Sequence, residues 1–122
     1  MFKINFYKDK NGNKPVKEYI DSLQAASSTS KDSRIKLKKI VEYIDVLAQN
    51  GTVAGVPYVK HIEDDIWELR PLRDRIFFFC WQGDRFILLH HFQKKTNKTP
   101  KREIEQAKRN QNDFIERSKE HG

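Results

Sequence analysis

Cysteine is nearly absent from this chain, which has a single one, Cys80, in 122 residues. One thiol cannot form an internal disulfide, and it cannot supply the several thiolates of a structural zinc site. Because Cys80 lies inside the apolar run 76–81, we expect it to be a small buried side chain in a protein from a reducing compartment.

Long apolar segments are lacking as well. No stretch approaches the roughly 20 residues that a membrane-spanning helix needs. At the N-terminus Lys3 and Asn5 alternate with Phe2 and Ile4, so the continuous apolar segment of a secretion signal is missing. We therefore expect a cytoplasmic protein without a membrane partner.

Local motifs for metal or phosphate chemistry are also missing. The four histidines include no pair at helical spacing, and no glycine-rich phosphate loop occurs. We therefore predict neither a metal nor a cofactor. A Ser-His-Asp triad is a spatial arrangement, so the sequence leaves that possibility open.

The length and composition of the chain predict a single domain, spanning residues 1–122. Eight Phe, four Tyr and two Trp can supply its core. Alternation predicts a strand at 2–6, and two apolar stripes of period 3.6 predict helices from Pro15 and from about Lys31 to Asn50. Further strands are predicted at 66–70, 76–81 and 86–95, and 58–62 is a short extended candidate. A last helix is predicted to start at Pro100.

This order, β-α-α-β-β-β-α, is an α+β pattern, because the helices are segregated from the strands. We expect a small antiparallel meander packed by an α-hairpin and by the C-terminal helix.

The runs 76–81 and 86–95 are joined by the turn Gln82-Gly83-Asp84, which predicts a β-hairpin. An antiparallel pair brings its outer ends together, so basic residues at both ends should meet. The residues expected at this end are Arg73 and Arg75, Lys94 and Lys95, with Arg70 on the entering strand. Such a cluster suits a polyanion.

Charge is concentrated in segment 70–102, which has nine basic and two acidic residues. Its surplus of seven equals the net charge of the whole chain, so the remainder balances to zero. Phosphate neutralisation needs such a local surplus. A basic face kept for solubility is the alternative interpretation. Besides the residues at the hairpin end, the segment contains Arg85, Lys98, Lys101 and Arg102.

RNA cleavage is a reaction that such a face can catalyse without a metal, because the substrate carries its own 2′-hydroxyl nucleophile. The protein must deprotonate that hydroxyl, stabilise the phosphorane and protonate the leaving 5′ oxygen. The planar fork of arginine suits the second task, and Lys94 or Lys95, among other cations, could act as the base. His90 and His91 are alternatives, although such histidines are more often structural. Glu68 is a further candidate, for which the sequence identifies no carboxylate partner.

Several short motifs occur together in this order of elements. They are Trp67-Glu68-Leu69-Arg70, Arg75 opening an aromatic strand, Leu88-Leu89-His90-x-Phe92-x-Lys94-Lys95-Thr96, and Lys98-Thr99-Pro100 before a helix. In this combination nearly the whole chain resembles the HigB-type, phage-derived branch of the RelE/ParE toxin superfamily, which shares the β-α-α-β-β-β-α order. Members often carry a tyrosine before the arginine that opens the strand, where this chain has Asp74.

The resemblance implies a toxin of a type II toxin-antitoxin system, a ribosome-dependent mRNA endonuclease that stops translation. It implies a cognate HigA-like helix-turn-helix antitoxin, and operator DNA bound through the toxin-antitoxin complex. Arg70, Arg75 and Lys95 take catalytic roles by this resemblance, and charge alone adds Arg73 and Lys94.

Lys98, Lys101 and Arg102 are expected to bind RNA or the ribosome. For Arg70 the structural alternative is a surface ion pair with Glu68 or Asp74. At the level of function, a gyrase poison of the same superfamily or a non-catalytic nucleic-acid-binding protein stays open.

Overall fold

The computed structural model describes residues 1–121, which form three helices and five strands. The helices are α1 (Pro15–Ala26), α2 (Lys31–Asn50) and α3 (Lys101–His121). The strands are β1 (Lys3–Phe6), β2 (Val59–Glu63), β3 (Ile66–Leu69), β4 (Asp74–Trp81) and β5 (Arg85–Gln93). A 3-10 turn, Gly51–Ala54, follows α2. None of the helices in this part of the chain combines the length and the apolar character needed to cross a bilayer.

The α+β class is confirmed, and the order β-α-α-β-β-β-β-α has one strand more than predicted. The additional strand is β2, which pairs antiparallel with β3 at the edge of the sheet. Its run of alternating residues is too short to identify a strand by itself. It becomes a strand by pairing with β3 through a turn at Asp64, whose φ is 52°.

The sheet has the order β1-β5-β4-β3-β2 and is mixed. Strands β2 to β5 form the predicted antiparallel meander, whereas β1 lies parallel to β5 at the other edge. The predicted meander is therefore confirmed, and β1 adds a parallel edge strand to it. A parallel neighbour requires a long crossover, which the two-helix segment after β1 helps to provide.

The helices cover the sheet from both sides. Because successive side chains of a strand point to opposite faces, Phe78 joins the cluster beneath α1 and α2, and Phe77 joins the cluster beneath α3. Ser30 caps α2 by accepting a hydrogen bond from the Ser33 amide at 3.1 Å. The last helix begins at Lys101, one residue after the predicted start.

The prediction of a buried Cys80 is wrong, because its side chain is exposed. Cys80 lies near the end of β4 and lines an open cavity with Phe2, Trp67 and Phe86. On the other face of β4, Phe79 and Trp81 pack against Phe114 of α3, so only the face that carries Cys80 is open at this end. Apolarity alone therefore did not indicate burial at this position.

Candidate functional site

An open cavity of about 580 Å³ lies where β3 ends, β4 begins and β5 ends. The antiparallel pairing of these strands brings the three ends together. All five basic residues that the sequence predicted for this place line the cavity, and Thr96 and Asn97 complete it; the five are Arg70, Arg73, Arg75, Lys94 and Lys95. We call this space the cationic cavity.

Strand register explains why these side chains share a face. Glu68 lies opposite Phe77, and Arg75 lies opposite Phe92. Phe77 and Phe92 belong to the cluster beneath α3, so Glu68 and Arg75 point to the same side of the sheet. Lys94 follows Phe92 by two residues, and its amide extends the ladder by donating to the Arg73 carbonyl at 2.8 Å.

Glu68 is the buried carboxylate of the site, with 1% of its surface exposed. Its Oε1 lies 3.4 Å from Nε of Arg70 and 3.8 Å from Nε of Arg75. The pair of Arg70 with Glu68 exists, but it is not the surface pair considered from the sequence. Burial raises the pKa of the Glu68 carboxyl, and the charges of Arg75, Arg70, Lys94 and Lys60 oppose that shift.

Arg75 is held rigidly, with 8% of its surface exposed. Its Nη1 donates hydrogen bonds of 2.8 Å to the carbonyl oxygens of Leu72 and Asp74. The turn that presents the Leu72 carbonyl has Leu72 at φ 56°, a left-handed conformation that a leucine rarely adopts. Burial lowers the pKa of Arg75, and Glu68 opposes this shift.

Three buried polar atoms in the site have no hydrogen-bond partner among the described residues. They are Oε2 of Glu68, Nε of Arg70 and Nε of Arg75. Buried polar groups are nearly always hydrogen-bonded, so unsatisfied groups that border one cavity are typical of a ligand site. The two arginine nitrogens face Oε1 of Glu68 at 3.4 Å and 3.8 Å, so these contacts are ionic rather than hydrogen-bonded.

Lys94 is half-buried at the wall of the cavity. Burial lowers the pKa of its ammonium group, and Arg75 and Arg70 lower it further, whereas Glu68 raises it. The neutral amine therefore forms at a lower pH than in an ordinary lysine. Lys95 is exposed at the mouth of the cavity.

The two candidate histidines do not line this cavity. His90 has Nε2 at 2.8 Å from Oε1 of Glu103, the first acidic residue of α3. His91 points to the opposite face of the sheet, where its Nε2 lies 2.9 Å from Oδ1 of Asp74 and its ring stacks on Tyr19 at 3.6 Å. Both histidines therefore have structural partners. Asp74 is buried beneath α1 by the same contacts.

The residues after the hairpin are arranged around a second opening. Lys98, Lys101 and Arg102 are exposed on the connection to α3 and on its first turn. Arg102 lines a neighbouring cavity that shares Lys95 and Thr96 with the cationic cavity. Within the described part of the chain, no three His, Cys, Asp or Glu side chains converge as metal ligands would.

Sequence reasoning missed how deeply Glu68 is buried. The sequence analysis considered Glu68 only as a catalytic candidate and as a surface partner of Arg70, whereas its side chain is 1% exposed. The available signal was the excess of basic residues in the adjoining strands, because a buried carboxylate in a strand needs cationic neighbours.

A mixed five-stranded sheet with a cationic cavity at the end of its meander is compatible with the RelE-like toxin fold. The sequence model of the family described as phage derived protein Gp49-like (DUF891) matches residues 18–112, which include the five basic residues and Glu68. The chain therefore belongs to this phage-derived, RelE/ParE-like toxin family. No curated protein matches the sequence significantly.

Family membership confirms the toxin class that the sequence motifs predicted. It assigns the chain to toxin-antitoxin systems and implies an antitoxin as partner. Toxins of this RelE-like kind are generally ribonucleases.

Proposed function

We propose that this toxin is of the HigB type and cleaves mRNA on the ribosome without a metal, using the 2′-hydroxyl of the RNA as the nucleophile. The observation that carries the proposal is the convergence of five basic side chains on one open cavity. Cleavage of this kind develops negative charge on the phosphorane, and preorganised cations stabilise that charge most effectively.

Arg70 and Arg75 are proposed to hold the phosphate under attack. Both side chains line the cavity, and that of Arg70 is 24% exposed, so their guanidinium groups can donate to phosphate oxygens. The two carbonyls that hold Arg75 fix its guanidinium before substrate arrives, so little reorganisation is needed during the reaction.

Proton transfer is proposed for the lysines of the same wall. Lys94, with its lowered pKa, is our candidate for the base that removes the 2′-hydroxyl proton. Lys95 is exposed beside it, and its ammonium group is our candidate for the acid that protonates the leaving 5′ oxygen. Arg73, also exposed, would contact a phosphate of the chain rather than the reacting atoms.

The partners follow from the same proposal. Lys98, Lys101 and Arg102 would contact ribosomal or messenger RNA beside the cavity. A HigA-like helix-turn-helix antitoxin would neutralise the toxin in the cytoplasm and would bind the complex to operator DNA.

Inducing the chain alone in a bacterium is expected to stop growth by stopping protein synthesis, because the cavity is exposed for mRNA. Amino-acid incorporation and plasmid supercoiling should be measured separately after induction. The control is the double variant Arg70→Ala, Lys94→Ala, which should be tolerated. Normal incorporation with altered supercoiling would favour a gyrase poison and would contradict the proposal.

The cleavage rate is expected to depend on pH through Lys94. The rate should rise about tenfold per pH unit while the amine is mostly protonated, and it should level off below the pKa of an ordinary lysine. Single-turnover cleavage of ribosome-bound mRNA between about pH 6.5 and about pH 9 measures this dependence. A rate that stays flat over this range would remove Lys94 as the base.

A further inference from the structure

A second cavity of about 490 Å³ adjoins the cationic cavity and shares Lys95 and Thr96 with it. We call it the side cavity. The rest of its wall is formed by Phe92, Gln93, Pro100, Arg102 and Glu103. It lies between the end of β5 and the first turn of α3, so a chain leaving the cationic cavity past Lys95 enters it directly.

The chemistry of the side cavity differs from that of the cationic cavity. Phe92 and Pro100 give it apolar surface, whereas Glu103 and Gln93 supply hydrogen-bond acceptors. The guanidinium of Arg102 is largely free, because its side chain is 82% exposed and its Nε lies 3.8 Å from Glu103. A carboxylate disfavours phosphate, while apolar surface, a planar guanidinium and fixed acceptors are what proteins use to hold an unstacked RNA base.

Glu103 is oriented for such a contact. Its Oε1 lies 2.8 Å from Nε2 of His90, and its side chain is 19% exposed. His90 is itself held beside Phe77 and Phe92, with ring centres 6.4 Å from each. The contact with His90 therefore fixes the Glu103 carboxylate, and its Oε2 faces Arg102.

We propose that the side cavity binds the base of the nucleotide next to the cleaved bond, and that Glu103 selects bases with an exocyclic amino group against uracil. This inference rests on the proposed ribonuclease function. Adenine, cytosine and guanine each offer amino hydrogens to a carboxylate acceptor. Uracil instead presents two carbonyl oxygens beside its single N–H, and these oxygens repel a carboxylate.

The test compares Glu103→Gln with the wild type and with Glu105→Gln. Glu105 is an exposed glutamate of the same helix and does not line the side cavity, so the control makes the same chemical change. Each protein cleaves ribosome-bound mRNA, and the cut ends are located by sequencing. The wild type should avoid uracil roughly tenfold at one position adjoining the cut, the effect expected of one hydrogen bond to a charged group.

Glutamine can donate as well as accept, so Glu103→Gln should cut sites with uracil at that position about as often as sites with the other bases. Glu105→Gln should retain the wild-type profile. Cleavage by the wild type without discrimination against uracil would overturn the inference, whether or not the variant folds. Identical profiles for the two variants would overturn it as well. Failure of the wild type to cut any mRNA on ribosomes would instead refute the proposed function, and the base site with it.

Discussion

Replacing Arg75 by lysine is expected to slow single-turnover cleavage by roughly 10²–10³-fold, the usual loss for one preorganised donor. Lysine keeps the charge but has one nitrogen in place of a planar fork. It cannot hold the carbonyls of Leu72 and Asp74 and also present donors to the phosphate. Binding of RNA should change little, because four other basic residues still line the cavity.

Arg85→Lys is the matched control, since Arg85 lies at the start of β5, at the opposite end of the sheet, and pairs with Asp84 at 3.0 Å. It should cleave as the wild type does. Melting curves of both variants are needed, because Arg75 also fixes a turn. Near-normal cleavage by Arg75→Lys would remove Arg75 from the catalytic residues. If the cleavage rate per folded molecule equals that of the wild type, the loss is due to unfolding and the role of Arg75 is structural.

The composition of the cationic cavity could be predicted because it depends on local pattern. Apolar runs on both sides of Gln82-Gly83-Asp84 define a hairpin, and antiparallel geometry then places Arg73 and Arg75 beside Lys94 and Lys95. Neither step requires knowledge of a distant part of the chain. The roles of these residues in catalysis stay predictions.

The features that could not be predicted depend on contacts between distant segments. The open cavity around Cys80 is formed with Phe2 and Trp67 from other segments, and the parallel β1 edge requires a crossover across much of the chain. His91 is directed away from the cavity because Tyr19, far away in sequence, and Asp74 offer it partners. The sequence pattern of a single strand contains none of this information.

Replacing Glu68 by glutamine is expected to lower cleavage roughly 10²-fold, the cost of misplacing catalytic groups by about 1 Å. Oε1 of the carboxylate lies 3.4 Å from Nε of Arg70 and 3.8 Å from Nε of Arg75, so its negative charge attracts both guanidinium groups. A glutamine amide is neutral, and its N–H donors would repel them. Glu68 is therefore proposed as a positioning residue for the two guanidinium groups.

The same substitution should leave thermal stability at neutral pH unchanged or higher. Burial raises the pKa of Glu68 above its ordinary value of 4.5, so the folded chain binds a proton there more tightly than the unfolded chain. The contribution of this group to the free energy of unfolding is fully present below the ordinary pKa and is lost as pH rises through the raised pKa. Glutamine does not ionise and avoids that loss. The stability gained by Glu68→Gln should accordingly vanish in acid.

The pH-rate profile of Glu68→Gln distinguishes a role of Glu68 in positioning the catalytic groups from a role in packing. The charge of Glu68 raises the pKa of Lys94, so its removal should shift the rising part of the pH-rate profile to lower pH. The control is Glu63→Gln, which alters an exposed carboxylate of β2 that pairs with Lys108 and should change neither the rate nor its pH dependence. A strong fall in the melting temperature of Glu68→Gln at neutral pH would show that the carboxylate stabilises the fold as a counter-ion. Removing a nearby anion lowers the pKa of a base. Slower cleavage with an unshifted pH profile would therefore show that Glu68 does not act on Lys94 as the base.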